Sequence, residues 1–237
     1  MSYHKNMTLN FISNFKNKNG FTLAEVLITL VIIGVIAALT IPNAIAYYKK
    51  EETASKLKKF YSTFSQVISR SVADNGHYST WDLSGSNNSQ RTAVFLNKYI
   101  FPYLQTVKKC TPTSNECWPD YIYAPLHNQG YECSAVLSDG SRIFVWVGQD
   151  SSHAWFLVDI NGERNPNKLG SDVFMFLIRF FAANNNDVVG LFPAGLGTQE
   201  LPSRETLKQN CRNFPEKCSS LIMVDGWQIK NDYPYRL

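Results

Sequence analysis

The feature of this sequence that most constrains its fold is a long apolar run near the N-terminus. From Val26 to Ile41 no residue is charged, and the apolar character continues to Tyr48. Counted from Phe21, the run would be about 42 Å long as an α-helix at ~1.5 Å per residue, whereas the hydrocarbon core of a bilayer is about 30 Å thick. The run therefore predicts a membrane-spanning helix.

One residue of this run does not fit a membrane helix. Glu25 is a carboxylate, and a charged group in the hydrocarbon core costs at least roughly 2.5–3.5 kcal/mol, so such residues usually have a function. The alternative is that Glu25 lies at the membrane interface near the helix start, where the helix dipole favours a negative charge.

The residues before the run form a basic leader. Residues 1–20 contain three lysines and no acidic residue. A secretory signal peptide has an apolar stretch of about 7–15 residues followed by a small-residue cleavage site. Here the apolar run is longer, and the small residue, Gly20, precedes it. This order indicates cleavage on the cytoplasmic side, which leaves the apolar helix on the product.

The segment G-FTLAE-VLITL, which begins at Gly20, is similar to the cleavage and methylation motif of type IV prepilins and type II secretion pseudopilins. The resemblance implies that a prepilin peptidase cleaves after Gly20 and methylates the new N-terminus, Phe21. Glu25 then pairs with the Phe21 amine of a neighbouring subunit, which offsets the desolvation of both charges. Pro42 lies inside the helix, where it removes a backbone donor and should kink or open the helix.

The resemblance also implies partners and a location. The partners are prepilin peptidase, an inner-membrane platform protein, a cytoplasmic assembly ATPase and other pilin or pseudopilin subunits. We expect a single-pass protein of the bacterial inner membrane, with a cytoplasmic N-terminus and an extracytoplasmic C-terminal domain. The lysines after the run favour the opposite orientation by the positive-inside rule, but Glu51 and Glu52 interleave with them and the cysteines favour an oxidising compartment.

The chain divides into four predicted segments: the leader 1–20, the membrane or filament-core helix 21–48, its amphipathic continuation 49–75, and a globular domain 76–237. Apolar residues recur at helical spacing from Leu57 to Val72, and Asp74-Asn75-Gly76 supplies a stop. A short helix is predicted near Phe95. The fold class is α+β, a long N-terminal helical spine packed on a C-terminal antiparallel sheet, as the resemblance also implies.

The sheet is predicted from alternating apolar residues. Two strands joined at Ser138-Asp139-Gly140 are predicted in the segment CSAVLSDGSRIFVWVG, and a third strand is predicted in HAWFLVDI. Residues 173–181 are rich in phenylalanine and predict a strand or a short helix. A further strand and a turn at Asp225-Gly226 are predicted in the segment SSLIMVDGWQIKNDYP.

All five cysteines follow the apolar run, and two of the gaps between them are six residues long. Close zinc-ligand pairs are usually two to four residues apart, so we expect disulfides, with reduced core thiols or a metal as alternatives. The expected pairs are Cys110 with Cys117 and Cys211 with Cys218. Cys133 is then either buried or the partner in a different pairing.

The loop DINGERNPNKLGSD concentrates oxygen donors around two glycines. Hard oxygen ligands are what calcium prefers, although the spacing departs from that of an EF-hand. No cofactor is required by the sequence, and calcium is one candidate; the alternative is a loop whose side chains bond their own backbone. The candidate ligands are Asp159, Asn161, Asn165, Asn167 and Asp172.

Charge and motifs exclude several function classes. Three of the 23 basic residues lie in the leader, which leaves 20 basic and 19 acidic residues in the rest of the chain. This part therefore lacks the excess of positive charge that nucleic-acid binding requires. The sequence lacks Gly-x-Ser-x-Gly, a phosphate-binding glycine loop and a closely spaced histidine pair, and no enzyme is predicted. The five tryptophans leave open an alternative: a monomeric membrane-anchored binding protein whose aromatic face captures a carbohydrate or surface polymer.

Overall fold

The computed structural model describes residues 20–86, 88–110, 132–148, 151–180, 190–196 and 201–237, apart from the side chains of residues 132–134. The chain forms two units, Met1–Ile45 and Ala46–Leu237. Helix α1, Leu23–Asn75, contributes to both units. The second unit adds α2, Asn88–Phe95, with a π-helical turn, Leu96–Ile100, and the helices α3, Arg204–Asn213, and α4, Cys218–Val224.

The second half of α1 is amphipathic, as the spacing of its apolar residues predicts. One face is buried, and the opposite face carries exposed polar residues such as Lys58 and Gln66. The helix ends at Asn75, and Gly76 follows with a φ of 80°, a conformation that glycine adopts readily at the C-terminal end of a helix. The predicted stop is therefore confirmed. The buried face consists of Ala54, Leu57, Phe60, Phe64, Val67, Ile68 and Ser71.

In the part of the chain that the structure describes, the sheet is an antiparallel meander of six strands, in which each strand pairs with the next described one. This arrangement confirms the α+β fold and the strands predicted from alternating residues. The central pair has a continuous register, in which Trp146 faces Trp155. The strands are β1, Thr106–Lys109; β2, Glu132–Leu137; β3, Arg142–Val147; β4, His153–Asp159; β5, Val173–Arg179; and β6, Gly190–Pro193.

Aromatic contacts join the second half of α1 to the sheet. The ring of Phe64 lies 5.0 Å from that of Phe156 on β4, edge to face, and Phe60 lies 5.2 Å from Phe176 on β5. Such pairs add about 0.5–1.5 kcal/mol each beyond the burial of area. Because alternate residues of β4 and β5 point to the same face, this face of the sheet forms one core with the helix.

The strand predicted after Ser219 is wrong, because residues 218–224 form the helix α4. Leu221 and Ile222 are buried within this short helix, and the disulfide at Cys218 fixes its first residue. A short apolar run does not distinguish a strand from a buried helix. The sequence interpretation also missed helix α3 and the edge strands β1 and β6. Strands of four residues, such as these two, give little periodic signal.

An ion-pair cluster holds α3 to the C-terminal segment. Arg204 donates from Nε to Asp225 Oδ1 at 2.7 Å and from Nη2 to Asp232 Oδ1 at 2.8 Å. The side chain of Asp225 is only 4% exposed, and Lys230 also pairs with it. The hydrogen bonds from Arg204 and Lys208 hold the pKa of Asp232 well below its usual range.

Candidate functional site

The predicted cleavage site lies at the start of the described chain. Gly20 is exposed, and a Cβ added there would meet no atom within 4 Å. No feature of the described fold therefore requires glycine at this position. Phe21 follows with 86% of its surface exposed, an unusual state for a large apolar side chain. Both residues are accessible, as substrates of a processing enzyme must be.

Glu25 caps the start of α1 together with Thr22. The backbone N–H and the hydroxyl of Thr22 both donate to Glu25 Oε2 at 2.8 Å, and the N–H of Glu25 donates to Thr22 Oγ1 at 3.2 Å. This is the reciprocal arrangement of a capping box, which satisfies N–H groups that have no partner inside the helix. The T-x-x-E spacing was a signal for this role that the sequence interpretation did not use.

The first unit presents an apolar surface along its helix. Large apolar side chains along it, among them Leu27, Val31 and Leu39, are more than half exposed, and Val26 is 42% exposed. The helix is long and apolar enough to cross a membrane. Because lone soluble proteins rarely expose contiguous apolar patches larger than a few hundred Å², this surface requires lipid or other apolar helices around it.

Pro42 lies within α1, which continues through it. A proline cannot donate to the carbonyl four residues earlier, here that of Ala38. Side chains bond other carbonyls in the same region: Thr40 Oγ1 donates to Ile36 O at 2.9 Å, and Asn43 Nδ2 donates to Leu39 O at 3.5 Å. The kink expected at Pro42 stays a prediction.

The loop between β4 and β5 brings together three of the five candidate calcium ligands. Asp159 Oδ1 accepts hydrogen bonds from the backbone N–H groups of Asn161 at 3.1 Å and Gly162 at 2.9 Å. Asn161 Nδ2 in turn donates to Asp172 Oδ2 at 3.0 Å. The loop therefore does bond its own backbone, as the alternative to a metal site proposed.

Both carboxylate oxygens of Asp172 accept hydrogen bonds from N–H groups. Its Oδ2 accepts from the backbone of Asn167 at 2.7 Å, and its Oδ1 accepts from the backbone of Lys168 at 2.6 Å. Asn167 is itself buried, while Asn165 is exposed at the rim of a cavity of about 170 Å³. These three residues shape the loop, and the hydrogen bonds of the structure do not direct their oxygens at Asp159.

Two buried oxygens of this loop have no hydrogen-bond partner among the described residues: Asp159 Oδ2 and Asn161 Oδ1. Asp159 has no exposed surface. Burial raises the pKa of Asp159 to about 7, and the charge of Asp172 adds to the rise, while the N–H groups of Asn161 and Gly162 oppose it. An unsatisfied buried polar group in a native fold requires an explanation.

One predicted disulfide is present. Cys211 and Cys218 are joined across the turn between α3 and α4, and both are fully buried. Cys110 is also disulfide-bonded. Its expected partner, Cys117, lies outside the described residues, and the side chain of Cys133 does as well, so that pairing stays a prediction. Within the described residues, no group of three or more histidine, cysteine or acidic side chains is placed to hold a metal.

The described tryptophans are divided between the core and one face of the sheet. Trp81 is buried and stacks on Tyr99 at 4.3 Å, and Trp227 packs on Tyr61 at 5.2 Å. Trp146 and Trp155 pair across β3 and β4 and are half-buried, while Trp118 lies outside the described residues. The four described tryptophans therefore do not lie on one continuous face.

Comparison with known proteins gives two matches to family models. Residues 15–41 match the prokaryotic N-terminal methylation motif, which includes Gly20, Phe21 and Glu25. Residues 43–237 match a family described only as a family of unknown function, DUF6613. No curated protein and no solved structure was found to be significantly similar. The chain therefore belongs to this family of unknown function, and its N-terminal segment is that of the type IV pilin and pseudopilin precursors.

Proposed function

We propose that this protein is a structural subunit of a type II secretion pseudopilus or a type IV pilus. The observation that carries the proposal is the methylation motif at residues 15–41, which includes the first part of a helix whose apolar surface is exposed. Prepilin peptidase removes residues 1–20 and methylates Phe21. The mature chain then leaves the inner membrane as the N-terminal helices of several subunits pack together, with the platform protein and assembly ATPase as partners.

The arrangement at the helix start supports a role for Glu25 in assembly. Both hydrogen bonds from Thr22 reach Oε2, so the capping box uses one oxygen of the carboxylate. The Oε1 oxygen is then available to the methylated amine of a neighbouring subunit. Pairing the two charges as the helices pack offsets the desolvation that each would suffer alone.

The globular unit is proposed to lie outside the cytoplasm. A disulfide between Cys211 and Cys218 fits an oxidising compartment, since disulfides are rare in the cytosol. In this orientation the leader stays on the cytoplasmic side, where prepilin peptidase would cut after Gly20. The sheet domain would face the filament surface after assembly.

Intact-mass analysis of the protein extracted from membranes tests processing. We expect a chain that begins at Phe21 and carries one additional methyl group. A chain that retains residues 1–20 would contradict the proposal and favour a monomeric, membrane-anchored binding protein.

Glu25→Gln separates the two roles of Glu25. Glutamine at this position preserves the capping box but removes the charge that would pair with the amine. We expect Glu25→Gln to be cleaved normally and to enter sheared filaments poorly. Glu51→Gln, at an exposed glutamate later in α1, is the matched control and should assemble as the wild type does. Normal assembly of Glu25→Gln would refute the pairing.

A further inference from the structure

We propose that the second unit binds the phosphate headgroup of an acidic phospholipid through a basic cluster, which consists of Lys49, Lys50, Lys56 and Arg164. The inference rests on the proposed insertion of the N-terminal helix in the membrane, and it adds a ligand to that inserted state. The observation that carries it is a group of cations directly after the apolar run, beside a cavity of about 170 Å³, with too few carboxylates to neutralise them.

The basic cluster begins where the apolar run ends. Tyr47 and Tyr48 are 65% and 72% exposed, and such aromatic side chains are enriched at the boundary between membrane and water. Lys49 follows directly, and at about 1.5 Å per residue Lys56 lies about 10 Å further along α1. The headgroup layer on each side of a bilayer is about 5–8 Å thick. A helix that spans the bilayer up to Tyr48 therefore places the first lysines of the cluster among the headgroups.

The cavity lies between α1 and the β4–β5 loop. Lys49, Glu52 and Lys56 line it from α1, and their spacing of three and four residues places them on one face of the helix. Arg164 and Asp172 line it from the loop. Three of the four cations of the basic cluster therefore surround one space in which a phosphate group can be bound.

The acidic side chains at the cavity neutralise only part of this charge. Glu52 Oε1 lies 2.7 Å from Lys56 Nζ. The hydrogen bond and the charge of Lys56 lower the pKa of Glu52, and the charges of Arg164 and Lys49 lower it further, so three cations act on one carboxylate. Asp172 already accepts hydrogen bonds from three N–H groups.

Lys49 and Lys50 have no carboxylate partner among the described residues. The amine of Lys49 makes no hydrogen bond or ion pair there, and the amine of Lys50 donates to the neutral Asn231 Oδ1 at 3.1 Å. Glu51 is exposed and, two residues after Lys49, lies on the opposite face of α1. The balance of these lysines by Glu51 and Glu52, which the sequence suggests, is therefore incomplete.

An acidic headgroup supplies the missing negative charge. Each lysine or arginine near an acidic membrane surface strengthens binding about fivefold, whereas a zwitterionic headgroup brings no net charge. The membrane helix also holds the cluster beside the lipid, which makes the effective concentration of headgroups far higher than that of a dissolved anion. Binding of this kind stabilises the inserted subunit and ends when its helix leaves the membrane.

Native mass spectrometry of the full-length protein, released from micelles of a neutral detergent, tests the inference. Phosphatidylglycerol should bind about 25-fold more tightly than phosphatidylcholine, because the two lysines without a carboxylate partner contribute about fivefold each. Equal binding of the two lipids would overturn the proposal. Inorganic phosphate should form no adduct, and binding of phosphate as tight as that of phosphatidylglycerol would reject the lipid as the ligand.

Three variants make the test specific to the cavity. Lys49→Gln should weaken the binding of phosphatidylglycerol about fivefold, and Lys56→Gln should also weaken it. Lys58→Gln is the matched control, since Lys58 is exposed and does not line the cavity, and nine residues after Lys49 it lies on the opposite face of α1. It should bind as the wild type does. Equal losses in all three variants would indicate a general attraction to the surface and would contradict a site at the cavity.

The same spectra give the mass of the protein chain, which separates this inference from the proposed filament function. A chain that begins at a methylated Phe21 and shows no preference for phosphatidylglycerol would overturn the lipid site alone. A chain that retains residues 1–20 and still prefers phosphatidylglycerol would support the lipid site and overturn the filament function.

Discussion

Asp159→Asn should stabilise the protein in the presence of a chelator. The pKa of Asp159 is raised from 3.8 to about 7, mainly by burial. At 1.36 kcal/mol per pKa unit, this shift makes ionisation of the folded protein unfavourable by about 4 kcal/mol. Asparagine has no charge to bury, and its amide oxygen can still accept the two N–H groups that Asp159 Oδ1 accepts. The change therefore removes the cost of burying a charge.

The stabilisation should depend on pH with a defined sign. Below about pH 4, Asp159 is protonated in both the folded and the unfolded wild type, and the two proteins should differ little. Between pH 4 and 7 the unfolded state ionises while the folded state stays protonated, so the wild type loses stability as pH rises. Above pH 7 the difference should be constant, at up to about 4 kcal/mol in favour of the variant.

Tryptophan fluorescence during thermal unfolding, at pH 5 and pH 8 with a chelator, measures this difference. The variant should have the higher midpoint at pH 8, and the gap should be smaller at pH 5. Asp139→Asn is expected to behave oppositely. Burial opposes ionisation of Asp139, but Lys59 and Ser141 lower its pKa overall. The stability lost in Asp139→Asn should therefore be largest at high pH. A destabilised Asp159→Asn at pH 8, or a gap independent of pH, would refute the reasoning.

Further predictions concern the disulfide, the ion-pair cluster and the core, and equilibrium unfolding in detergent measures all three. Replacing both Cys211 and Cys218 by alanine should lower stability by about 2.5 kcal/mol, the loop-closure value for this short separation; no loss would mean that the bond is not formed. Arg204→Met should cost about 1.5–3 kcal/mol, because Asp225 and Asp232 lose the charge-assisted hydrogen bonds from Arg204 while Lys230 still pairs with Asp225, and a loss below 1 kcal/mol would show the pair to be dispensable. Phe64→Ala should cost about 3–5 kcal/mol through the cavity it creates, whereas a smaller loss would show that the core collapses around it.

The sequence was sufficient for features that depend on local order along the chain. The end of α1 at Asn75 follows from a polar stop and a glycine, and β2 to β4 follow from alternating residues. The methylation motif is also a continuous stretch, residues 15–41. Such signals do not require knowledge of what packs against them.

Only the tertiary structure decided the features that depend on neighbours distant in sequence. Residues 218–224 form a helix because the disulfide and the core around Leu221 and Ile222 select it over the strand that their apolar character also permits. The β4–β5 loop is the same kind of case: its composition suggested five equivalent donors. Folding commits Asp172 to backbone N–H groups and leaves one oxygen each of Asp159 and Asn161 buried without a partner among the described residues, because burial and hydrogen-bond competition are settled in three dimensions.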